Sequence, residues 1–381
     1  MHTNWENCKH ILCIRPDNMG DLVMSSPAIR ALKETFGAKI SVLTSSAAAG
    51  IAGFIPEIDD VIVYDLPWVK HRQHIDPDQF PSLITTLKNR QFDAAVMFSV
   101  YSQNILPTAM IPYFAGIPKR LAYCRENPYA LLTDWVPDKE PYSFIRHQVK
   151  RDLDLVAHVG AFTLQQKLAL SISPDAWESA KNKLTQNGIF TDNSWLILHA
   201  GVSEAKREYP EQQWAETARQ LVNMGYQVLF TGGPDEKTLT DRLCQLSGPN
   251  TFSLAGSFSL EEYIALIRYA PLVISVNTAT IHLAAATETP VIVLYALSNP
   301  QHTPWMAKGS ILTFDVPSCL QSKNEVIRYV YQLTAKPGSI VSPDEIVHAA
   351  WKILNGHADY IPEILPVAIP VELSESSNHT D

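Results

Sequence analysis

Cysteine is scarce in this chain, and its few cysteines follow no binding pattern. Cys8, Cys13, Cys124, Cys244 and Cys319 are scattered, odd in number and free of CxxC spacing. They give neither a disulfide framework nor a thiolate metal site, and a reduced, cytosolic compartment is the simplest reading. No apolar run reaches the roughly 18 residues that a membrane-spanning helix needs. The opening MHTNWENCKH is polar and lacks the order of a signal peptide. A soluble or peripheral protein is expected. Positive charge is in deficit: 30 Lys and Arg stand against 39 Asp and Glu, a net charge of −9. That balance argues against non-specific nucleic-acid binding. No GxGxxG follows the first strand, so a dinucleotide fingerprint is absent, and no repeat of solenoid period is present.

What the chain does have is length, apolar content and alternation. Its 381 residues are too many for one typical domain, and 46% hydrophobic residues allow a sizeable core in each of two. Short apolar runs alternate with helical periodicity, which predicts α/β domains with buried parallel strands. In the first half, strands are expected at His10–Arg15, Lys39–Thr44, Val61–Tyr64 and Phe92–Ser99. The helix Leu22–Phe36 carries Pro27, which predicts a kink or a late start. In the second half, strands are expected at 195–199, 226–231, 251–254, 273–276 and 291–295, with a last one near 311–314. The expected organisation is one Rossmann-like domain over 1–165 and a second over 190–335. A capped helix over 342–356 is expected to pack back on the first domain, and 357–381 reads as a disordered tail. The connector between the domains includes an expected strand at Lys167–Leu170.

The stretch 273–300 organises the second half. It reads as strand, turn, helix and strand, with Asn277 and Thr278 as N-cap types. A helix that starts at the C-terminal edge of a parallel sheet aims free N–H groups and a positive dipole end into the crevice, a natural diphosphate site. Thr278, Thr280 and His282 lie at or near that end. An ordinary capped crossover gives the same pattern. Other loops at strand ends carry Ser203 and Lys206, Gly232 and Gly233, and Gly256, where phosphate ligands would lie. In the first half, Gly20-Asp21 opens a helix. Asp21 is either a cap interaction worth ~0.3–1 kcal/mol or a carboxylate aimed into the crevice to take a proton. The bases Lys70, Arg72, Arg120, Arg125, His147 and Arg151 accumulate in this half of an acidic chain. They make either an anionic-acceptor surface or a solvated face.

Three motifs, in order, carry a family resemblance. Ile14-Arg15-Pro-Asp-Asn-Met-Gly20-Asp21, running on to Lys33, resembles the N-terminal signature of glycosyltransferase family 9, the lipopolysaccharide heptosyltransferases. His199-Ala-Gly201-Val-Ser203-Glu-Ala-Lys206-Arg-Glu-Tyr-Pro210 resembles its phosphate-binding loop. Ser275-Val-Asn277-Thr278-Ala279-Thr-Ile-His282 resembles its donor-binding turn. The resemblance implies the GT-B architecture, two Rossmann-like domains facing a central cleft. It implies inverting, metal-independent transfer from a nucleotide sugar, ADP-heptose in the best-known members, to a hydroxyl of a glycan or lipid-linked acceptor. No cofactor is implied, and a peripheral place at the inner face of the cytoplasmic membrane would suit a lipid-linked acceptor. Asp21 matches the proposed base, and Lys206 the residue on the leaving diphosphate. Ser203, Thr278 and His282 match donor contacts, with Asp235 or Glu236 near the ribose; Gly20 belongs with the acceptor side. The absence of a DxD-like pair in a suitable loop agrees with metal independence. Asn277 stands where the family has Asp, and Ala279 where it has Gly. Competing readings are a GT-B nucleotide-sugar 2-epimerase and a non-catalytic sugar-nucleotide-binding module.

Overall fold

The computed structural model describes residues 4–69, 76–192, 194–296, 299–334 and 338–362. The first sheet and its helices are β1 (His10–Arg15), α1 (Met19–Phe36), β2 (Lys39–Thr44), α2 (Ser46–Ala52), β3 (Asp60–Val63), α3 (Phe80–Arg90), β4 (Ala94–Met97), α4 (Leu106–Phe114), β5 (Lys119–Cys124), β6 (Asp134–Pro137) and α5 (Gln148–Ala157). The connector carries α6 (Asp175–Gln186). The second sheet and its helices are β7 (Trp195–His199), α7 (Glu211–Asn223), β8 (Gln227–Phe230), α8 (Lys237–Ser247), β9 (Thr251–Ser253), α9 (Leu260–Tyr269), β10 (Val273–Val276), α10 (Ala279–Ala286), β11 (Val291–Ala296), β12 (Gly309–Phe314), α11 (Glu325–Thr334) and α12 (Pro343–Leu354).

Both sheets have six strands paired in parallel, ordered β3-β2-β1-β4-β5-β6 and β12-β11-β10-β7-β8-β9. This is the GT-B architecture expected from the sequence. The order reverses between β1 and β4 in one sheet and between β7 and β10 in the other. A crevice opens outside the strand ends at such a reversal. The loops after β1, β4, β7 and β10 therefore converge, and α1 of one half packs on α10 of the other.

The central strands are apolar throughout because both faces are covered by helices; β4, β7, β10 and β11 are buried end to end. Helix α1 runs unbroken through Pro27. Proline cannot donate to the carbonyl four residues back, and here the Ser26 hydroxyl donates to that Val23 carbonyl at 2.7 Å instead.

Four expectations change. The basic stretch Lys119–Cys124 is a strand, and Asp134–Pro137 is the edge strand beside it, where Pro137 is tolerated. No strand forms at 167–170: the Lys167 carbonyl accepts from Arg30 and that of Leu170 from Arg268, so side chains take the place of a ladder. Helix α12 packs on α7 and beside β11 and β12, not back on the first domain. Its Ile346, Ala350 and Ile353 share a core with Trp214 and Leu221 of α7, so its apolar stripe is already used. The first domain is met instead by α11, whose Val330 packs with Tyr101 and Ile145. Finally, 357–362 is not a free tail: Gly309 N–H donates to Asp359, Ile361 N–H donates to Ala307, and Ile361 is buried. Residues 363–381, the rest of the expected tail, lie outside the described residues.

Candidate active site

A cavity of about 570 Å³ lies between the two sheets where the four loops converge. Its first wall is the β1–α1 turn. Asp21 is the third residue of α1, so its carboxylate folds back: Oδ2 accepts the Asn18 N–H at 3.1 Å, and Oδ1 accepts Arg15 Nη2 at 3.1 Å. The group is buried yet lines the cavity. Burial alone would raise its pKa. The Arg15 guanidinium, then His302 and the Asn18 amide, outweigh burial and hold it below the usual carboxylate range. Asp17, 3.1 Å from Arg15 Nε and bonded by Gln103 at 2.5 Å, is shifted the other way. There burial wins, and Asp21 adds repulsion.

The second wall comes from the other sheet. The loop after β7 brings Ser203, Lys206 and Arg207 to the cavity. Lys206 Nζ lies 2.8 Å from Glu204, and Arg207 Nη1 donates to the Asn277 carbonyl at 3.1 Å. The start of α10 adds Asn277, Thr278, Ala279 and His282. Ala279 has no positive φ, so a Cβ is tolerated there. Asn277 is buried, and among the described residues its Oδ1 has no hydrogen-bond donor. Glu236 lines the cavity; Asp235 does not. A Cβ on Gly201 would lie 1.9 Å from the Glu236 carboxylate, so only glycine lets that side chain lie there. His282 and His302 are pushed down by burial, to about 3 and about 4, and are neutral at pH 7. The positive groups on this wall are Lys206, Arg207 and the amide end of α10, with the carboxylates of Glu204 and Glu236 beside them, while Asp21 supplies an ionised carboxylate opposite.

Gly20 marks where the walls meet. A Cβ there would lie 2.7 Å from His282 Cδ2 and 3.5 Å from Ala279 Cα. Gly→Ala in a helix ordinarily gains up to ~1 kcal/mol, but overpacking against a buried ring costs ~1–3 kcal/mol. Gly20→Ala is thus expected to lower the denaturation midpoint and the turnover together. A midpoint equal to or above wild type would refute the close approach.

The expected acceptor-side bases go elsewhere. Arg151 is fully buried, with Nη1 at 2.6 Å from Glu140 and Nη2 at 2.9 Å from Asp138. Arg125 donates to the carbonyls of Tyr101 and Glu140. Arg120 donates to those of Ile117, Ala130 and Leu131. His147 caps α5: Nδ1 accepts the Val149 N–H, so Nε2 carries the proton and donates to the Thr303 carbonyl at 2.7 Å, tying the two halves together. None of these four lines the cavity. Lys70 and Arg72 lie outside the described residues. Sequence reading passed over Asp17, Arg207 and His302. Asp17 and Arg207 stood inside the quoted motifs, beside residues that were chosen. His302 carried no local signal.

Two parallel six-strand sheets facing a common cleft, with Asp21 on one wall and Lys206 and Arg207 on the other, make the GT-B architecture. The chain belongs to glycosyltransferase family 9 (heptosyltransferase), whose family model matches residues 81–325. That stretch includes the loops after β7 and β10 and leaves the β1–α1 turn outside. Lipopolysaccharide heptosyltransferase 2 of Salmonella typhimurium is 28% identical over 309 residues, 77% of this chain and 84% of the relative. The glycosyl transferase family 9 structure from Veillonella parvula superposes with a TM-score of 0.73 at 17% identity, covering 93% of this chain and 99% of that one. The structure of E. coli ADP-heptose lps heptosyltransferase II gives 0.67 at 22% identity, covering 91% and 98%.

Proposed function

We propose that the enzyme transfers heptose from ADP-heptose to a hydroxyl of a lipopolysaccharide-type acceptor, with inversion and without a metal. The observation that carries this reading is that ionised Asp21 on one wall faces Lys206, Arg207 and the α10 amide end on the other, with Glu204 and Glu236 beside them. The acceptor O–H gives its proton to the Asp21 carboxylate. Its oxygen attacks the sugar C1 from the face opposite the nucleotide, the bond from C1 to the diphosphate oxygen breaks, and ADP leaves. One displacement inverts C1. The charge that develops on the diphosphate meets groups already in place, so no reorganisation is needed at the moment of reaction. The names of the relatives, lipopolysaccharide and ADP-heptose heptosyltransferases, support the donor and acceptor class.

Asn277 enters here as a donor contact. A neutral amide in place of a carboxylate keeps a hydrogen-bonding arm and removes a negative charge from the diphosphate's surroundings. From the lipopolysaccharide heptosyltransferases it resembles, we place the enzyme in the cytoplasm, meeting a lipid-linked acceptor at the inner leaflet.

A thermal-shift panel with ADP, ADP-heptose, and GDP- and UDP-sugars tests the donor. Binding at a hundredfold excess over Kd stabilises the fold by ~2.7 kcal/mol. ADP is expected to raise the melting temperature and ADP-heptose to raise it further, with EDTA making no difference to the shift or to turnover. A shift only with GDP- or UDP-sugars would overturn the donor.

A further inference from the structure

Beneath Asp21 lies a group that the transfer step does not touch. Arg15 is the last residue of β1 and is fully buried. Three carboxylates surround it: Asp17 at 3.1 Å from Nε, Asp21 at 3.1 Å from Nη2, and Asp152 of α5 at 3.9 Å from Nη1. Only the Nη2 contact is a hydrogen bond; among the described residues Nε and Nη1 have no hydrogen-bond acceptor. Asp152 is itself occupied, accepting from Ser25 at 2.7 Å and Gln148 at 2.8 Å. The guanidinium is thus aligned on Asp21 and held in the core by the charges of the other two. A buried cation with three acidic neighbours is more than packing requires, since one partner would neutralise it.

Taking Asp21 as the base, as proposed above, we infer that Arg15 is its positioning residue: the guanidinium aims the Asp21 carboxylate into the cavity, with Asp17 and Asp152 anchoring the guanidinium from behind. Arg15 lies under Asp21, fully buried, and does not line the cavity. The groups around Asp21 are Arg15 from β1, Asp17 from the turn, His282 from α10 and His302 from the loop after β11, with Asp152 of α5 behind Arg15, its pKa raised to about 6 by burial. The histidines are neutral at pH 7, so Arg15 is the cation that acts on Asp21 there.

The test is the pH–rate profile of ADP release from ADP-heptose with O-deacylated lipopolysaccharide as acceptor, using the full chain. In the wild type the acid limb from Asp21 lies below the ordinary carboxylate value, about 3.9. In Arg15→Met the carboxylate loses its cation and stays buried, so its pKa rises. The acid limb should move up past the ordinary carboxylate value, with kcat at pH 7 down at least tenfold because the carboxylate is no longer aimed, and donor KM within threefold. Arg15→Lys keeps the charge and loses the fork; kcat should fall with no acid limb above pH 5. An unmoved limb in Arg15→Met would overturn the inference. If that variant does not fold, Arg15→Met with Asp152→Asn removes a buried acid along with the cation and carries the same expectation. If neither folds, unchanged kcat in Arg15→Lys overturns the inference. Asp21→Asn in the same assay separates the two ideas. Wild-type turnover there would sink the base assignment and this inference with it. An inactive Asp21→Asn beside an unmoved limb in the Arg15 variants would sink only the positioning role.

Discussion

Asp21→Asn is expected to remove transfer almost completely while leaving ADP binding within a few-fold of wild type. A positioned general base contributes ~10²–10⁴-fold, and an amide cannot take the acceptor's proton. The substitution is close to isosteric, and the amide oxygen still accepts one hydrogen bond, from Asn18 or from Arg15. Arg15 keeps Asp17 and Asp152, so no buried cation is left alone. On the proposed reading, the nucleotide side of the cavity is built by the other sheet, from the loops after β7 and β10. Chemistry and donor affinity therefore sit on different domains and should separate on mutation. The measurements are kcat for transfer and an ADP titration on the same preparation. Joint loss of both would place Asp21 among the donor contacts instead.

The low pKa of Asp21 has a further consequence. Its carboxylate is already ionised above the usual carboxylate range, so base ionisation does not limit the rate between pH 5 and 8. A depressed pKa also makes a weaker proton acceptor. The cost is partly met by geometry, since the carboxylate is held by Arg15 and Asn18 rather than left to rotate.

Legibility in the sequence followed how local each cause was. Strands buried on both faces, such as VISV at 273–276 and VIVLYA at 291–296, were visible as unbroken apolar runs between helices. The loops at the order reversals could be placed because strand, loop and helix are consecutive, and with them came Asp21, Lys206 and the start of α10. Strands β5 and β6 were missed because one opens with Lys119-Arg120 and the other is a short edge strand ending in Pro137. The basic residues misled for a different reason. Arg120, Arg125 and Arg151 are taken up by carbonyls and carboxylates that the fold brings to them, and a count of bases does not show which are already engaged. His302 is the clearest case of information absent from local pattern. It reaches to 3.8 Å from Asp21 only because the two domains close on each other, across 281 residues of chain (302 − 21).

Lys206→Ala should weaken donor binding and slow transfer together, in contrast to Asp21→Asn. An ammonium on the diphosphate acts in the bound ground state and gains as negative charge builds on the leaving group. Removing one such electrostatic donor from a preorganised site costs ~10²–10³ in kcat. Neighbouring Arg207, held by its Nη1 bond to the Asn277 carbonyl, keeps its positive charge, so donor binding is weakened rather than abolished. Before donor arrives, Lys206 is paired with Glu204 at 2.8 Å, and both side chains are about one-fifth exposed. That pairing must loosen or be shared when the diphosphate binds. A partly exposed pair is worth ~0.2–1 kcal/mol, so Glu204→Gln should change donor KM by no more than about fivefold, in the tighter direction. The two substitutions thus move KM in opposite senses, by very different amounts. Unaltered donor affinity in Lys206→Ala would remove the lysine from the diphosphate. A Glu204→Gln loss as large as that of Lys206→Ala would mean that Glu204 positions the lysine rather than competing with the donor for it.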